Sequence, residues 1–330
     1  MKNICFFARV PDQNLFNLVG FYKDDIDSLR ENGYNVTTVN RLRDLFRSRY
    51  DGYYVWWFGY GFFPAIFALL FQRPIIVTGA IHTEECGSIN DWPIIKRILM
   101  KLTMRLSTLS IFISKTDFSK LDGFVPKSSE VVYCAVNLDI YKPNTRVPRF
   151  PAVISISHLT TDNVRRKKIF DCIRSFALAQ KIRPDLQYWI IGKHGDAHDS
   201  VVKLINELNL SENITLFGSV SEKDKIDLLQ KASVYLQPSF CEGFGLAILE
   251  AKACGTPVIT STEPCVKEIN CDSVIYCDDN HSITLNIIRL IEDDNFYNKY
   301  HRYGLDSLGP FTLTKRKSEL KYLSCKVFGV

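Results

Sequence analysis

The chain has 330 residues, of which 46% are hydrophobic and 23% charged, a composition that excludes a disordered or fibrous protein and predicts about two globular domains. Residues 1–150 hold 19 Lys and Arg against 14 Asp and Glu, whereas residues 151–330 hold 22 of each. This small basic excess, without any nucleic-acid motif, makes nucleic acid an unexpected partner, and the basic first half is the half expected to face an anionic surface or acceptor.

Neither an export signal nor a metal site is expected. The first ten residues contain one lysine, a short apolar run and Arg9, so no signal peptide is predicted. The ten cysteines are scattered without a C-x-x-C pair, which favours free thiols in a reducing cytoplasm. Cys265, Cys271, Cys277 and His281 form a loose cluster, but their spacing matches no zinc pattern.

Strands and helices alternate through the first 145 residues, as in a parallel sheet with right-handed crossovers. The loop 9–17 after the first strand lacks a G-x-G-x-x-G fingerprint. The predicted strands are Asn3–Ala8, Tyr34–Val39, Tyr53–Phe58, Pro74–Val77 and Ser110–Ser114, and the predicted helices are Phe21–Glu31, Pro64–Phe71 and Ile94–Leu109.

The aromatic stretch Val55–Phe71 resembles a membrane span only superficially. It is 17 residues long and is interrupted by Gly59, Gly61 and Pro64, so a transmembrane helix is rejected. A buried strand and helix is the preferred interpretation, and an apolar face resting on a membrane is the alternative.

His82 follows the fourth predicted strand, at the edge where open α/β sheets bind their ligands. Thr83, Glu84 and Glu85 lie at the same rim and are candidate acceptor contacts. The alternative for His82 is a loop histidine with no special role.

The segment Ile94–Leu109 is predicted to be a basic amphipathic helix. Its apolar face would carry Ile95, Leu99, Leu102, Leu106 and Leu109, and another face would carry Arg97, Lys101 and Arg105. Two interpretations stay open: an ordinary surface helix packed on the sheet, or a helix lying on an anionic bilayer.

A second strand–helix series follows the polar linker at residues 144–150. The predicted strands are Ala152–Ser157, Leu186–Ile191, Ile214–Phe217, Val234–Gln237, Val258–Thr260 and Val274–Cys277. The predicted helices are Ile169–Gln180, Ser221–Lys231, Ser282–Glu292, Asn295–Tyr303 and residues 311–325.

A basic cluster, Arg165–Lys168, precedes the first helix of this second series. Four cations at a helix start are unfavourable with the helix dipole unless an anion binds there. The cluster therefore predicts a diphosphate site, and a solvated basic turn is the alternative.

The stretch Pro238–Thr260 carries the main functional signal. Glu242 lies in a glycine-permitted turn, and the helix that begins near Gly245 places Glu250 on its wall before Gly255 ends it. Free N–H groups at a helix start receive phosphate or sugar oxygens, and carboxylates accept hydrogen bonds from vicinal hydroxyls. The pattern therefore suits a sugar nucleotide.

The E-x7-E spacing, the preceding Pro-Ser pair and the following EA-x-A-x-G-x-PVI run resemble the donor-binding signature of retaining glycosyltransferases of family 4. Residues 131–143 (VVYCAVNLDIYKP) resemble the inter-domain marker of that family. The resemblance implies an α/β protein with the GT-B fold, in which two Rossmann-like domains face each other across a cleft. It implies an acceptor-side domain at 1–145, a nucleotide-sugar domain at 146–308, and a terminal helix at 309–330 that returns to the first domain.

By position, the resemblance also implies the roles of individual residues. The catalytic residues would be His82, Glu242 and Lys167, and the donor-binding residues would be Arg166, Gly243, Phe244, Gly245, Leu246, Glu250 and Gly192. Arg165 is a further candidate to assist Lys167. The chain departs from the family pattern where His158 replaces an arginine, where the two glycines before Glu268 are missing, and where residues 9–17 lack a glycine-rich loop.

The implied reaction is transfer of a sugar, with retention, from a nucleotide diphosphate donor to a hydroxyl of a glycan or lipid-linked glycan, as in cell-envelope polysaccharide synthesis. No D-x-D motif precedes the core element convincingly, so no metal or other cofactor is expected. A cytoplasmic protein is expected, with peripheral contact at the inner face of the membrane as an open point. The alternatives are a sugar-nucleotide epimerase of similar fold and a non-catalytic sugar-nucleotide-binding protein.

Overall fold

The computed structural model describes residues 1–46, 50–81 and 89–329. The chain divides into two compact units, each with its own sheet. The N-terminal unit comprises Met1–Ala135 together with Phe311–Val330, and the C-terminal unit comprises Val136–Pro310. The division thus falls ten residues before the predicted domain boundary between residues 145 and 146, inside the segment that resembles the inter-domain marker.

In the N-terminal unit, the described residues form a six-stranded parallel sheet in the order β2-β1-β3-β4-β5-β6. The four inner strands are buried almost throughout because helices cover the sheet, whereas the two edge strands are partly exposed. The strands are β1 (Asn3–Phe7), β2 (Asn35–Val39), β3 (Gly52–Trp56), β4 (Ile75–Gly79), β5 (Leu109–Phe112) and β6 (Ser129–Val131).

The described helices of this unit include the C-terminal helix of the chain. They are α1 (Leu15–Leu18), α2 (Gly20–Glu31), α3 (Phe62–Leu70), α4 (Ile94–Leu106), α5 (Lys115–Ser119) and, after the second unit, α14 (Leu313–Phe328). Helix α14 packs against α2, where Arg316 forms a buried ion pair with Asp25. The predicted return of the terminal helix to the first unit is confirmed.

The C-terminal unit contains a second six-stranded parallel sheet, in the order β12-β11-β10-β7-β8-β9 for the described residues. Its strands are β7 (Phe150–Ile156), β8 (Gln187–Ile191), β9 (Ile214–Gly218), β10 (Ala232–Gln237), β11 (Val258–Thr260) and β12 (Ile275–Tyr276). Its helices are α6 (Thr161–Arg166), α7 (Ile169–Ile182), α8 (His198–Glu207), α9 (Glu222–Lys231), α10 (Leu246–Ala253), α11 (Pro264–Asn270), α12 (Asn280–Glu292) and α13 (Asp294–Asp306).

The strand order of the second sheet positions the candidate site. β10 lies in the middle of the sheet, between β7 and β11, and all six of its residues are buried. The chain order reverses at β7 and β10, and such switch points in open α/β sheets open a crevice at the carboxyl ends of the strands. The segments after β7 and β10, which carry the basic cluster and Glu242, begin at that edge.

Most predicted elements lie within two or three residues of their observed bounds, but several short or polar elements were missed. The missed elements are α1, α5, α6, α8, α11 and β6. Leu109, which was predicted to lie in the amphipathic helix, instead begins strand β5. The helix ends at Leu106 because Ser107 adopts an extended conformation.

Helix α4 does not bury the predicted apolar face. Met100, Thr103 and Met104 are the buried residues of this helix. Ile95 and Leu102 of the predicted apolar face are exposed, as are Ile94 and Ile98. Among the described helices, none is long and apolar enough to cross a membrane.

The expectation of free thiols holds for most cysteines. Eight described cysteines are free, and six of them are buried. Cys241 instead takes part in a disulfide bond, so the expectation is wrong at this position.

Candidate sugar-nucleotide site of the C-terminal unit

A glycine turn delivers the chain from β10 into helix α10. Gly245 caps the helix with a φ of 85°, a left-handed conformation that side chains with a Cβ rarely adopt. Gly243 and Phe244 precede it and are buried, and the carbonyl oxygen of Gly243 accepts a hydrogen bond from Cys265 Sγ at 3.4 Å. The predicted turn and helix start are therefore present.

Glu242 lies in this turn with a buried carboxylate that is 7% exposed. Its Oε1 accepts hydrogen bonds from Gln237 Nε2 at 2.9 Å and Ser239 Oγ at 2.8 Å, and it lies 2.9 Å from Nη1 of Arg166. Its Oε2 makes no hydrogen bond to the described residues. One carboxylate oxygen is thus fixed, and the other remains available to accept a hydrogen bond.

Gln237 connects Glu242 to Lys167. Its Oε1 accepts hydrogen bonds from Lys167 Nζ at 3.1 Å and from Tyr235 O–H at 2.5 Å, while its Nε2 donates to Glu242. Lys167 Nζ also donates to the carbonyl of Ile156 at 2.6 Å. These two bonds use two of the three ammonium protons, so one donor remains for a ligand.

Burial lowers the pKa of Lys167 from its ordinary value, and the negative charge of Glu242 partly offsets this effect. Nearby Arg166 lowers the pKa further. A partly buried ammonium that retains a free donor is electrostatically suited to an anionic ligand, because an anion would relieve the cost of its burial.

The basic cluster does not form a helix start, as the sequence had suggested. Arg165 and Arg166 end helix α6, where cations are favourable with the helix dipole. Lys167 lies in the connection, and Lys168 caps α7 with a φ of 52°. The dipole argument for a bound anion is therefore wrong, and the position of the cations beside Glu242 replaces it.

The first amide groups of α10 lack partners. Ile248 N–H and Leu249 N–H both donate to the carbonyl of Gly245, at 2.9 and 3.3 Å. In the part of the chain that the structure describes, the N–H groups of Leu246 and Ala247 donate to no acceptor. Helix N-termini with free amides favour anions.

Glu250 is the fifth residue of α10 and forms an ion pair with Lys225 of α9, with 3.1 Å between Oε2 of Glu250 and Nζ of Lys225. Lys225 also lies 3.1 Å from Glu222, which accepts a hydrogen bond from Tyr141. Burial raises the pKa of Glu250, and Lys225 opposes this shift. The pair holds a carboxylate on the wall of the helix, one turn beyond the free amides.

Gly192 has a steric role in the structure. A Cβ at this position would lie 2.1 Å from the carbonyl oxygen of Ser157, and the Gly192 N–H donates to the carbonyl of Gly218 at 2.9 Å. Its contact with a donor stays a prediction.

His158, which stands where the family pattern has an arginine, accepts a hydrogen bond on Nδ1 from the Lys193 N–H at 3.0 Å. Burial and the positive charges of Lys167 and Lys193 lower the pKa of His158.

The structure brings the main predicted residues of the C-terminal unit together. Arg166 contacts Glu242 directly, and Lys167 is connected to Glu242 through Gln237. His82 and the neighbouring Thr83, Glu84 and Glu85 lie outside the described residues. Sequence reasoning assigned no role to Gln237, Ser239 or Lys225. Ser239 belongs to the Pro-Ser pair that contributed to the resemblance, and Gln237 is a polar side chain at the end of the apolar strand VYLQ, whereas Lys225 carried no signal.

Comparison with known proteins places this unit in a family. Residues 151–306 match the sequence model of the family described as glycosyl transferases group 1. A D-inositol 3-phosphate glycosyltransferase of Mycobacterium sp. strain KMS is 29% identical over 141 residues, which cover 41% of this chain and 32% of that protein. The chain therefore spans about a third of the length of the curated relatives it matches.

Solved structures resemble the whole chain. The sucrose-phosphate synthase of Thermosynechococcus elongatus has a TM-score of 0.82 at 16% identity and covers 99% of both chains. Anabaena HepE, solved with UDP and glucose, has a TM-score of 0.78 at 16% identity and covers 99% of this chain and all of its own. The predicted GT-B fold is confirmed by these likenesses.

Proposed function

Because residues 151–306 form a domain of the glycosyl transferases group 1 family, we propose that this protein transfers a sugar, with retention, from a nucleotide diphosphate donor to a hydroxyl of a glycan or lipid-linked glycan. The observation that carries the proposal is the linked arrangement of Lys167, Gln237 and Glu242 beside the free amides of α10. Anabaena HepE was solved with UDP and glucose, which makes UDP-sugars the first donors to test.

The roles follow from the donor and acceptor atoms that remain free. Lys167, with one unused ammonium proton, and the N–H groups of Leu246 and Ala247 bind the diphosphate. Glu242 Oε2 accepts a hydrogen bond from a hydroxyl of the donor sugar. Glu250 accepts hydrogen bonds from the ribose hydroxyls, which compete with Lys225 for its carboxylate.

In the proposed reaction the bond between the anomeric carbon and the phosphate oxygen breaks, and its electron pair moves to the diphosphate. The acceptor oxygen bonds to the same face of the anomeric carbon and transfers its proton to the departing phosphate oxygen. The contribution of this chain is to stabilise the developing negative charge with Lys167 and the helix amides, which needs no metal in this proposal.

The nucleotide is best identified by a thermal-shift screen with UDP, GDP, ADP and their sugars. A ligand that binds only the folded state raises the melting temperature by mass action. We expect one nucleotide to raise it and Glu250→Gln to reduce that rise, whereas Glu212→Gln, an exposed change, leaves it unchanged. The absence of any shift at millimolar nucleotide contradicts the proposal.

Release of free nucleotide separates transfer from the alternatives. With donor and a suitable acceptor, transfer yields the nucleoside diphosphate and a longer glycan in equal amounts. A sugar-nucleotide epimerase would instead change the donor without any acceptor, and a non-catalytic binding protein would leave the donor intact.

A role at the cell membrane is supported by an apolar surface on the N-terminal unit, formed by α3 and α4. Its exposed members are Phe63, Leu69, Leu70 and Phe71 at α3 and Ile94, Ile95, Ile98 and Leu102 on α4. The two helices pack together, and α4 also carries Arg97, Lys101 and Arg105. An apolar surface with flanking cations matches an anionic bilayer, where lipid-linked acceptors of envelope polysaccharides are located.

Sedimentation with phosphatidylglycerol vesicles at low salt tests this contact. We expect the protein to sediment, and the pair Ile95→Ser and Ile98→Ser to reduce the bound fraction strongly. Leu178→Ser, which removes an exposed apolar side chain from the C-terminal unit, serves as the control. Equal sedimentation of all three proteins contradicts membrane contact through this surface.

A further inference from the structure

A pocket of about 480 Å³ opens at the carboxyl end of β3 and β4 in the N-terminal unit. Its described lining includes four aromatic side chains, Trp57, Phe58, Tyr60 and Trp92, together with Lys96 of α4. The volume is in the range of small-molecule sites, and the position is the one where parallel sheets bind ligands. None of the proposed roles of the C-terminal unit involves this pocket.

The backbone of Trp57 is held in an unusual conformation. It follows β3 with a φ of 80°, which is an outlier for a bulky residue. The Trp57 N–H donates to the carbonyl of Thr78 at 2.7 Å, and its indole Nε1 donates to Tyr22 O–H at 2.6 Å. A Cβ at Gly79 would lie 3.1 Å from the Cα of Trp57. Strain of this kind is characteristic of ligand sites, where the surrounding contacts maintain it.

Two cations lie on the aromatic side chains of the pocket. Lys96 Nζ is 3.9 Å from the centre of the Trp92 ring, and the Arg9 guanidinium carbon is 5.2 Å from that of Tyr60. Within the described residues, neither cation forms an ion pair with a carboxylate, and the described lining of the pocket contains no Asp or Glu. The described part of the pocket therefore combines flat apolar surfaces with unneutralised positive charge.

We propose that this pocket binds an anionic saccharide as the acceptor of the reaction. Aromatic faces remove the apolar face of a pyranose ring from water, and an ammonium group binds a phosphate or carboxylate through charge-assisted hydrogen bonds. A neutral saccharide would leave Lys96 unpaired, and a bare anion would leave the aromatic surfaces uncovered. The proposal rests on the proposed glycosyl transfer and specifies the class of its acceptor.

Tryptophan fluorescence measures binding directly, because Trp57 and Trp92 line the pocket. The probes are glucose 6-phosphate, glucuronate, glucose and inorganic phosphate. At least one of the two anionic sugars should bind about tenfold more tightly than glucose and than phosphate, the effect expected of a charge-assisted hydrogen bond. Comparison of glucose 6-phosphate with glucuronate identifies the anionic group.

Lys96→Gln should remove this tenfold preference while leaving the affinity for glucose unchanged. Lys101→Gln, five residues further along the same helix and outside the pocket lining, should preserve the preference. Equal affinities for all four probes, or a preference that survives in Lys96→Gln, would overturn the proposal. Phosphate that binds as tightly as glucose 6-phosphate would also overturn it, since that result indicates a simple anion site.

The UDP thermal shift separates this proposal from the proposed function. Lys96→Gln should retain the shift of the unchanged protein, because the donor residues lie in the other unit. If UDP and the other nucleotides do not bind at all, glycosyl transfer fails as the function whatever the pocket binds. If UDP binds and the pocket shows no preference, only the assignment of the acceptor fails.

Discussion

Nη1 of Arg166 lies 2.9 Å from Oε1 of Glu242, and the same nitrogen donates to the carbonyl of Cys241 at 2.7 Å. Nη2 of Arg166 donates to Asn163 Oδ1 at 3.2 Å, so the guanidinium joins the short helix α6 to the turn before α10. The contact fixes the orientation of a buried carboxylate and balances its charge. It also places the second residue of the basic cluster directly beside the acid with which the cluster is proposed to act.

Replacement Glu242→Gln should reduce sugar transfer by about 100-fold or more, the size of effect seen when one preorganised polar group of an active site is lost. The carboxamide has nearly the same shape, but its Oε1 no longer balances the charge of Arg166. The initial rate of nucleotide release measures transfer, and an unchanged melting temperature shows that the fold is intact. Glu212→Gln is the matched exposed control, and a Glu242→Gln rate above a tenth of the unchanged rate contradicts the assigned role.

The pKa of Lys167 should limit activity at alkaline pH. Burial lowers this pKa from its ordinary value of 10.5, and only the ammonium form stabilises the diphosphate, so kcat/KM should fall as the pH rises, beginning below that value. The kcat/KM of the Lys167→Met variant should be low at every pH between about 6 and about 10, and it should not fall further as the pH rises. Lys168→Met, at the adjacent cap of α7, should retain it. Persistence of the alkaline fall in Lys167→Met assigns it to another group.

Lys252 should make the stability of the chain increase with pH. It is 1% exposed, its Nζ donates to Asn270 Oδ1 at 3.0 Å, and burial lowers its pKa to about 7. The folded-state pKa of Lys252 lies below the unfolded value of 10.5, so burying the protonated side chain lowers the free energy of unfolding. This cost is complete below about pH 7 and decreases as the pH rises from 7 to 10.5.

Lys252→Met removes this cost. The free energy of unfolding should rise more at pH 6 than at pH 9, with a difference on the order of 2 kcal/mol. Denaturant unfolding at the two pH values measures the effect, and the exposed Lys223→Met should change both values little. An equal change at both pH values would show that Lys252 does not titrate in this range.

The buried pair between Asp25 and Arg316 should hold helix α14 on the N-terminal unit. Nη2 of Arg316 lies 2.8 Å from Oδ1 of Asp25, and Tyr54 and Trp56 donate to Oδ2 at 2.8 and 3.0 Å. Arg316→Met leaves this carboxylate buried without its cation, which should cost about 3–5 kcal/mol of unfolding free energy.

The neighbouring Lys317 provides the control for this prediction. It forms a 2.6 Å ion pair with Glu31 between the same two helices, but both side chains are partly exposed. Lys317→Met should therefore cost less than about 1 kcal/mol. Similar losses for the two variants, measured by denaturant unfolding, would show that burial of the Asp25 pair is not what makes it important.

Much of the fold was predictable because parallel strands that are covered by helices have short, continuous apolar sequences. Strands β7, β8 and β10 illustrate this, since each was predicted within two residues of its observed bounds. Helix α8 was missed although it has ten residues. It follows several loop-like residues and has polar residues in its first turn, so its periodic pattern is short.

The sequence by itself determined the alternating α/β architecture and the acidic turn at Glu242, because both depend on residue types at fixed spacing along the chain. The resemblance to a known family, carried over by position, added Glu250 and Lys167 as candidate site residues. Local patterns of this kind survive in any context, since hydrogen bonding within a helix or turn uses only neighbouring residues.

Only the tertiary structure decided how these residues are connected. It placed Arg165 and Arg166 at the end of α6 rather than at a helix start, brought Gln237 between Lys167 and Glu242, and exposed the apolar side chains of α4. Each of these facts depends on contacts between segments that are distant in the chain. The physical reason is that burial and charge pairing are set by which strands become neighbours in the sheet, and this order is not encoded in any one segment.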